Sequence, residues 1–127
     1  MHIDNDTWRE VAALILPDES ARPGRPSTDG RIILTAIVYI LLTNISWTKL
    51  PRRRFRTSGI TCWRHFRKWH HDGVWPKIEL RLTQEWRRKG HVDWAAQLRN
   101  AASSRFEEMA NRERRKQMQH RIQRAGH

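Results

Sequence analysis

The 127-residue sequence predicts an all-α protein, and three features of the chain support that fold class. Apolar residues recur every three or four positions in several segments, which is the spacing of an amphipathic helix. No strand-like alternation of apolar and polar residues persists. Glycine is sparse, and proline and glycine fall mostly between the periodic segments. We therefore expect a small helical domain containing a helix-turn-helix, followed by a basic C-terminal helix or tail.

The first helix is expected to begin at Asp4 or Asp6, either of which can cap it, and to end at about Leu16 before Pro17. Its packing face is predicted to contain Trp8, Val11, Ala12 and Ile15. The next segment, PDESARPGRPST (residues 17–28), contains three prolines and a glycine, so it is predicted to be irregular. It is either a surface connector or an extended arm in which Arg22 and Arg25 touch DNA phosphates or the minor groove.

The second helix should start at Thr28 or Asp29 and extend to about Thr43. It is apolar nearly all round, through Ile32, Ile33, Ala36, Ile37, Val38, Ile40, Leu41 and Leu42. A helix of that kind must be covered on every side, so it is predicted to be the centre of the core. Asn44 follows it and tolerates the left-handed backbone conformation that often ends a helix.

The stretch from Ser46 to Gly73 predicts a short turn, a basic connector and a further helix. Ser46 can cap a single turn that carries Trp47 and Leu50 and stops at Pro51. The connector contains Arg52, Arg53, Arg54 and Arg56, and Thr57 or Ser58 with Gly59 signals the start of the next helix. At 100° per residue, one side of that helix carries Cys62, Trp63, Phe66, Trp69 and His70, and the other carries Thr61, Arg64, Lys68 and His71.

The remainder of the chain predicts one more packed helix and a basic extension. Trp75, Ile78, Leu82 and Trp86 form an amphipathic stripe that ends near Lys89, with Gly90 as its terminator. Beyond it, a packed stripe is predicted from Trp94, Leu98, Ala102, Phe106 and Met109. The residues from 112 to 124 are mainly charged and are expected to be a frayed helix or tail. We therefore divide the chain into a helical domain at residues 1–90 and a basic extension at 91–127.

The charge of the chain predicts a polyanionic partner. Lys and Arg number 25 against 13 Asp and Glu, and the formal net charge is +12. The excess lies in the middle and C-terminal parts, since residues 31–127 contain 22 basic and seven acidic side chains. Basic side chains that displace counterions from phosphates supply most of the non-specific affinity for nucleic acids. A basic amphipathic membrane binder would not explain the prolines and glycines between the periodic segments or the seven tryptophans.

The sequence also indicates an intracellular compartment. The single cysteine, Cys62, excludes an intramolecular disulfide framework and a Cys-based zinc finger. The N-terminus has no signal-peptide layout, and the longest nearly apolar run, residues 32–42, is too short to span a bilayer. We expect a soluble cytoplasmic protein associated with the nucleoid, with no metal and no cofactor, because His65, His70 and His71 have no second ligand cluster nearby.

A short helix, a tight connector and a helix with one buried and one polar face form a helix-turn-helix, whose second helix enters the major groove of DNA. The predicted base-reading residues are Thr61, Arg64, Lys68 and His71. The predicted phosphate-binding residues are Arg22, Arg25, Arg52, Arg53, Arg54, Arg56 and Arg67. The aromatic residues of the other face can act as base-stacking platforms, but their one-sided spacing favours core packing. Cys62 lies on that inward side and is expected to be a core residue rather than a nucleophile.

Four segments in this order carry a resemblance to a known family: "WREVAALILP", "RPGRPSTDGR", "AIVYILLTNISWTKLP" and "CWRHFRKWHHDGVWPKI". They resemble the N-terminal helix-turn-helix domain of bacterial insertion-sequence transposases of the DDE type, in the IS-five-like superfamily. Taken together, the most specific features are Gly-Arg-Pro, Ala-Ile-x-Tyr, Trp-x-x-Leu-Pro and Phe-Arg-x-Trp. The likeness covers roughly residues 5–90.

The resemblance implies that the domain recognises the terminal inverted repeats of the mobile element. It also implies a following catalytic domain in which Asp, Asp and Glu hold two divalent ions. After the Asp93-Trp94 pair, the family continues into a strand with the first catalytic Asp, whereas this chain has helix-favouring residues and Asn100 near that place. Asn lacks the charge that Mg²⁺ requires, and Glu107, Glu108 and Glu113 do not rebuild the triad.

We therefore expect a truncated, split-frame or remnant transposase that binds double-stranded DNA in transposition but does not cleave it. The alternative is a non-catalytic interaction module whose C-terminal helix pairs with another copy or with a separately encoded catalytic subunit and so modulates transposition.

Overall fold

A computed structural model describes residues 3–15 and 28–125 of the chain. Within these ranges the structure is all-α and contains no strand, which confirms the predicted class. The helices are α1 (Asn5–Ile15), α2 (Thr28–Thr43), α3 (Arg52–Phe55), α4 (Gly59–His71), α5 (Trp75–Arg88) and α6 (Val92–Ala125), with a 3₁₀ turn at Trp47–Lys49. No helix in the described part of the chain is both long and apolar enough to cross a membrane.

Helix α2 is the centre of the core, as its sequence predicts. Its buried side chains are Ile33, Leu34, Ala36, Ile37, Val38, Ile40 and Leu41. Helices α1, α3, α4 and α6 all pack against it, so its apolar surface is covered from several directions. Asn44 follows with φ 56°, which confirms the expected left-handed end.

The N-terminal helix is fixed to the rest of the domain by polar contacts at its start. The backbone N–H of Thr7 donates to Asp4 Oδ1 at 2.8 Å, so Asp4 is the residue that caps α1. The guanidinium of Arg31 donates to Asn5 Oδ1 at 2.8 Å and to the carbonyl of Ile3 at 2.7 Å. Lys89 pairs with Asp4 and, with the Thr7 hydrogen bond, lowers the pKa of that carboxyl well below its usual range.

The irregular segment predicted between α1 and α2 lies outside the described residues, apart from Thr28. The choice between a connector and an arm therefore stays a prediction. Helix α5 agrees with its predicted stripe, because Trp75, Ile78, Leu82 and Trp86 are all buried. Gly90, with φ 89°, follows it as the expected terminator.

Helix α6 has a packed half and an exposed half. Ala95, Leu98, Ala102 and Met109 are buried, and the helix packs against α5, α2 and α4. The core therefore continues beyond residue 90 to about residue 110. From residue 111 to residue 123 every side chain is exposed, although the helix continues to Ala125. We call residues 111–125 the projecting segment, and the structure shows it as a continuation of α6.

One residue of the predicted α6 stripe is exposed. Phe106 was expected in the core but is 45% exposed. Its ring stacks on His70 of α4, with centroids 4.3 Å apart and an interplanar angle of 15°. It therefore covers the edge of the core, because His70 lies between it and the buried aromatic residues.

Candidate nucleic-acid interface

The approach to α4 consists of two short helical turns. The 3₁₀ turn at Trp47–Lys49 follows the predicted position of a single turn. The predicted arginine connector contains an α-helical turn, α3 (Arg52–Phe55). Pro51 precedes it with φ −67°, a value that suits the entry to a helix, and Arg56 ends it in the left-handed conformation with φ 58°.

Helix α4 begins at a side-chain cap and at a close backbone contact. The backbone N–H of Thr61 donates to Ser58 Oγ at 3.2 Å, which confirms the predicted start signal. Gly59 lies directly against the 3₁₀ turn, and a Cβ atom there would be 1.6 Å from the carbonyl oxygen of Trp47. Only glycine allows this approach, so the position of α4 is coupled to the turn before it.

The inward face of α4 is held by aromatic packing. Cys62 and Phe66 are fully buried, and Trp69 is 4% exposed. The Phe66 ring lies 5.4 Å from that of Trp47 and 5.0 Å from that of Trp75, measured between centroids. This confirms core packing over base stacking for Phe66 and Trp69. The helix is thus fixed between the turn that precedes it and the helix that follows it.

Three of the four predicted base-reading residues lie on the solvent face of α4. Arg64, Lys68 and His71 are exposed, and none of them forms an ion pair with another residue of the described ranges. They follow one another at spacings of four and three residues, so they form a row about 10 Å long. Thr61 is half-buried, and its hydroxyl lies 2.9 Å from Ser58 Oγ. It therefore takes part in the cap at the edge of this row.

The predicted phosphate-binding arginines differ in their surroundings. Arg52, Arg53, Arg54 and Arg56 are all exposed around α3. The guanidinium of Arg54 lies over the ring of Tyr39 at 5.3 Å and over the ring of Phe55 at 5.2 Å, which anchors it to the domain. Arg22 and Arg25 lie outside the described residues, so their assignment stays a prediction.

Arg67 contacts α6, which its position in the sequence did not predict. Its guanidinium forms an ion pair with Glu113 of the projecting segment and lies 5.6 Å from the centroid of the half-buried Trp63 ring. Arg67 lies three residues after Arg64 and four before His71, so it is a neighbour of both on the helix surface. The projecting segment therefore starts at the edge of the basic face of α4.

Buried Cys62 and half-buried His70 of α4 are in their neutral forms at neutral pH. Burial raises the pKa of the Cys62 thiol to about 11, so it is a core residue rather than an activated nucleophile. Burial also lowers the pKa of His70 to about 4. Within residues 3–15 and 28–125, no group of three or more His, Cys, Asp or Glu side chains is placed to hold a metal ion.

An arginine of α6, Arg105, supports the turn before α4. The Arg105 guanidinium donates to the carbonyl oxygen of Ile45 and lies 5.6 Å from the centroid of the Trp47 ring. Neither the contacts of Arg105 nor the Arg67–Glu113 pair could be predicted from the sequence, because the residues that meet are distant along the chain. The available hint was that Glu113 is the single acidic residue among residues 112–124.

Comparison with known proteins places most of this structure in one family. Residues 3–79 match the family described as "Putative transposase of IS4/5 family (DUF4096)". A relative from Burkholderia cepacia, "Insertion element IS402 uncharacterized 16.2 kDa protein", is 32% identical over 106 residues, which cover 81% of this chain and 72% of that protein. No solved structure matches the chain. The family match includes α1 to α4, and so the whole of the basic face of α4.

Proposed function

The chain belongs to the transposase family of the IS4/5 type, and from this premise we propose that it binds the terminal inverted repeats of an insertion sequence. The observation that carries the proposal is the row of Arg64, Lys68 and His71 on α4. These three side chains are exposed, while the opposite face of the same helix is buried. A rigidly seated helix with such a row suits insertion into the major groove.

In this proposal α4 reads bases and α3 holds the DNA backbone. Arg64 can donate two hydrogen bonds to guanine, and Lys68 can reach guanine acceptors or a phosphate. Thr61 and His71 supplement these contacts at the two ends of the row. Arg52 and Arg53 of α3 are exposed and suit phosphate contacts, which set the register but carry no sequence information.

The proposed role is DNA binding in transposition without strand cleavage. The resemblance implies a strand with a catalytic Asp near residue 100, and the structure instead has Asn100 within α6. An amide oxygen in a helix does not supply the charged ligand that a two-ion cleavage site needs. The corresponding place of action is the cytoplasm, at the nucleoid, with double-stranded DNA as the partner.

Paired substitutions test the division of labour between α4 and α3. Affinities are measured for a duplex carrying the inverted repeat that flanks the coding sequence and for a scrambled duplex of equal length. Arg64→Ala should reduce the preference for the repeat by about 1 to 3 kcal/mol, because a bidentate base contact is lost. Arg53→Ala should weaken binding to both duplexes equally, because one phosphate contact is lost. It should also lower the slope of log affinity against log salt concentration by about 0.9. Equal effects of the two substitutions on both duplexes would contradict the assignment of α4.

A further inference from the structure

The projecting segment is a strongly basic helix without tertiary packing. Residues 111–125 contain six Lys or Arg and one Glu. Every side chain from residue 111 to residue 123 is exposed. At a rise of 1.5 Å per residue, the segment extends about 22 Å beyond the packed half of α6.

This helix has little to stabilise it in water by itself. Helices of this length without packing are marginal, and like charges three or four positions apart destabilise them further. Arg112 has such neighbours in Arg115 and Lys116. The local support consists of side-chain contacts of Arg114 with Asn111 and the carbonyl of Ala110. A polyanion that neutralised the arginines would stabilise the helix.

The place where the segment begins identifies which polyanion it meets. The Arg67–Glu113 pair sets its start beside the row of Arg64 and Lys68 on α4. A duplex that lies on this face of α4 would therefore pass the start of the projecting segment as well. A second copy of the chain is a less suitable partner for the segment. Up to residue 123 the apolar side chains of the segment are Met118 and Ile122 alone, which are too few to form an apolar stripe for helix pairing.

We propose that the projecting segment is a second DNA-binding element, which contacts the phosphates of the duplex held by α4 and is stabilised as a helix by them. The proposal rests on the DNA binding proposed for α4, and it adds a contact of different character. Phosphate contacts made by a loosely held helix are independent of sequence. The segment thus raises the affinity for every duplex and leaves the discrimination between sequences to α4.

The test compares two full-length variants with equal loss of charge. In the first, Arg112, Arg114, Arg115, Lys116 and Arg121 of the projecting segment are changed to Gln, which keeps a similar helix propensity. In the control, Arg9, Lys77, Arg81, Arg87 and Arg88 are changed to Gln; all five are exposed on α1 and α5. Duplex affinity is measured over a range of salt concentrations, and helicity is followed by far-ultraviolet circular dichroism with and without DNA. Thermal unfolding of each variant verifies that the packed part is folded.

We expect the segment variant to bind both the repeat and the scrambled duplex about ten- to a hundredfold more weakly than wild type, by the same factor for each. The slope of log affinity against log salt concentration should be lower by about 2 to 4. The control should keep most of its affinity, and DNA should increase the helicity of wild type but not of the segment variant. A segment variant that binds like the control would overturn the proposal while leaving the role of α4 intact. Loss of a concentration-dependent dimer in the segment variant, with unchanged DNA affinity, would assign the segment to self-association instead. A wild-type chain that binds no duplex would overturn both proposals.

Discussion

Helix α4 and the projecting segment of α6 are both basic and adjacent, but they are held in place differently. Helix α4 buries Cys62, Phe66 and Trp69 between its neighbours, whereas every described side chain of the projecting segment is exposed. Reading a base requires a donor fixed to a fraction of an ångström, while a phosphate contact tolerates movement. Charge therefore makes both elements suitable for DNA, and packing decides which of them can distinguish sequences.

The largest effect expected from this contrast is on stability. Phe66→Ala should lower the free energy of unfolding by about 3 to 5 kcal/mol, because it leaves a cavity among packed rings. Ile122→Ala should change it by no more than about 0.5 kcal/mol, because that side chain is 65% exposed. Urea unfolding of the full chain measures both. If Ile122→Ala lowered the free energy of unfolding by more than about 1 kcal/mol, the projecting segment would be packed, and it would not differ from α4 in that respect.

A smaller effect is expected from pH, through His70 on the inward face of α4. Its pKa in the folded chain is about 4, below the ordinary value of 6.5, because burial disfavours the charged ring. The unfolded chain therefore binds the proton at a higher pH than the folded chain does. Stability from this source is complete above about pH 6.5 and is lost as the pH falls toward 4. Allowing for solvent screening at this half-buried position, we expect a loss of about 1 kcal/mol.

The variant His70→Phe isolates this effect, because it keeps a ring against Phe106 and removes the titrating group. Urea unfolding at about pH 7 and about pH 4.5 should show a smaller loss in the variant than in wild type. The Asp4–Lys89 pair is present in both proteins, so its own response to acid cancels in the comparison. If wild type and the variant lose the same free energy of unfolding between the two pH values, His70 does not make the stability of the fold depend on pH.

The local features of the fold could be predicted because neighbouring residues determine them. Asp4 and Ser58 cap their helices through bonds to backbone groups three residues away. Asn44 takes the left-handed conformation that its short amide side chain tolerates. The inward and outward faces of α4 follow from helical geometry alone. For such features the helical repeat and the capping rules were sufficient.

The features that escaped prediction depend on contacts between distant parts of the chain. The Arg67–Glu113 pair joins residues 46 positions apart, and nothing local indicates that these two side chains meet. Arg54 is anchored on Tyr39 of α2, so the arginines of α3 are not equivalent, although the sequence shows them as one run. Thr61 falls on the outward arc by geometry, but its hydroxyl takes part in the cap. Periodicity gives the side of a helix on which a residue lies and does not give its partners.

The central claim is that α4 reads sequence, and selection of duplexes from a random pool by the full chain tests it most directly. The selection is made at two salt concentrations with wild type and with Arg64→Ala. We predict that wild type enriches one sequence at both concentrations, with weaker binding overall at the higher salt, and that Arg64→Ala loses the preference at one or two positions of that sequence. A pool that stays random with wild type, or the same enriched sequence with both proteins, would contradict the claim.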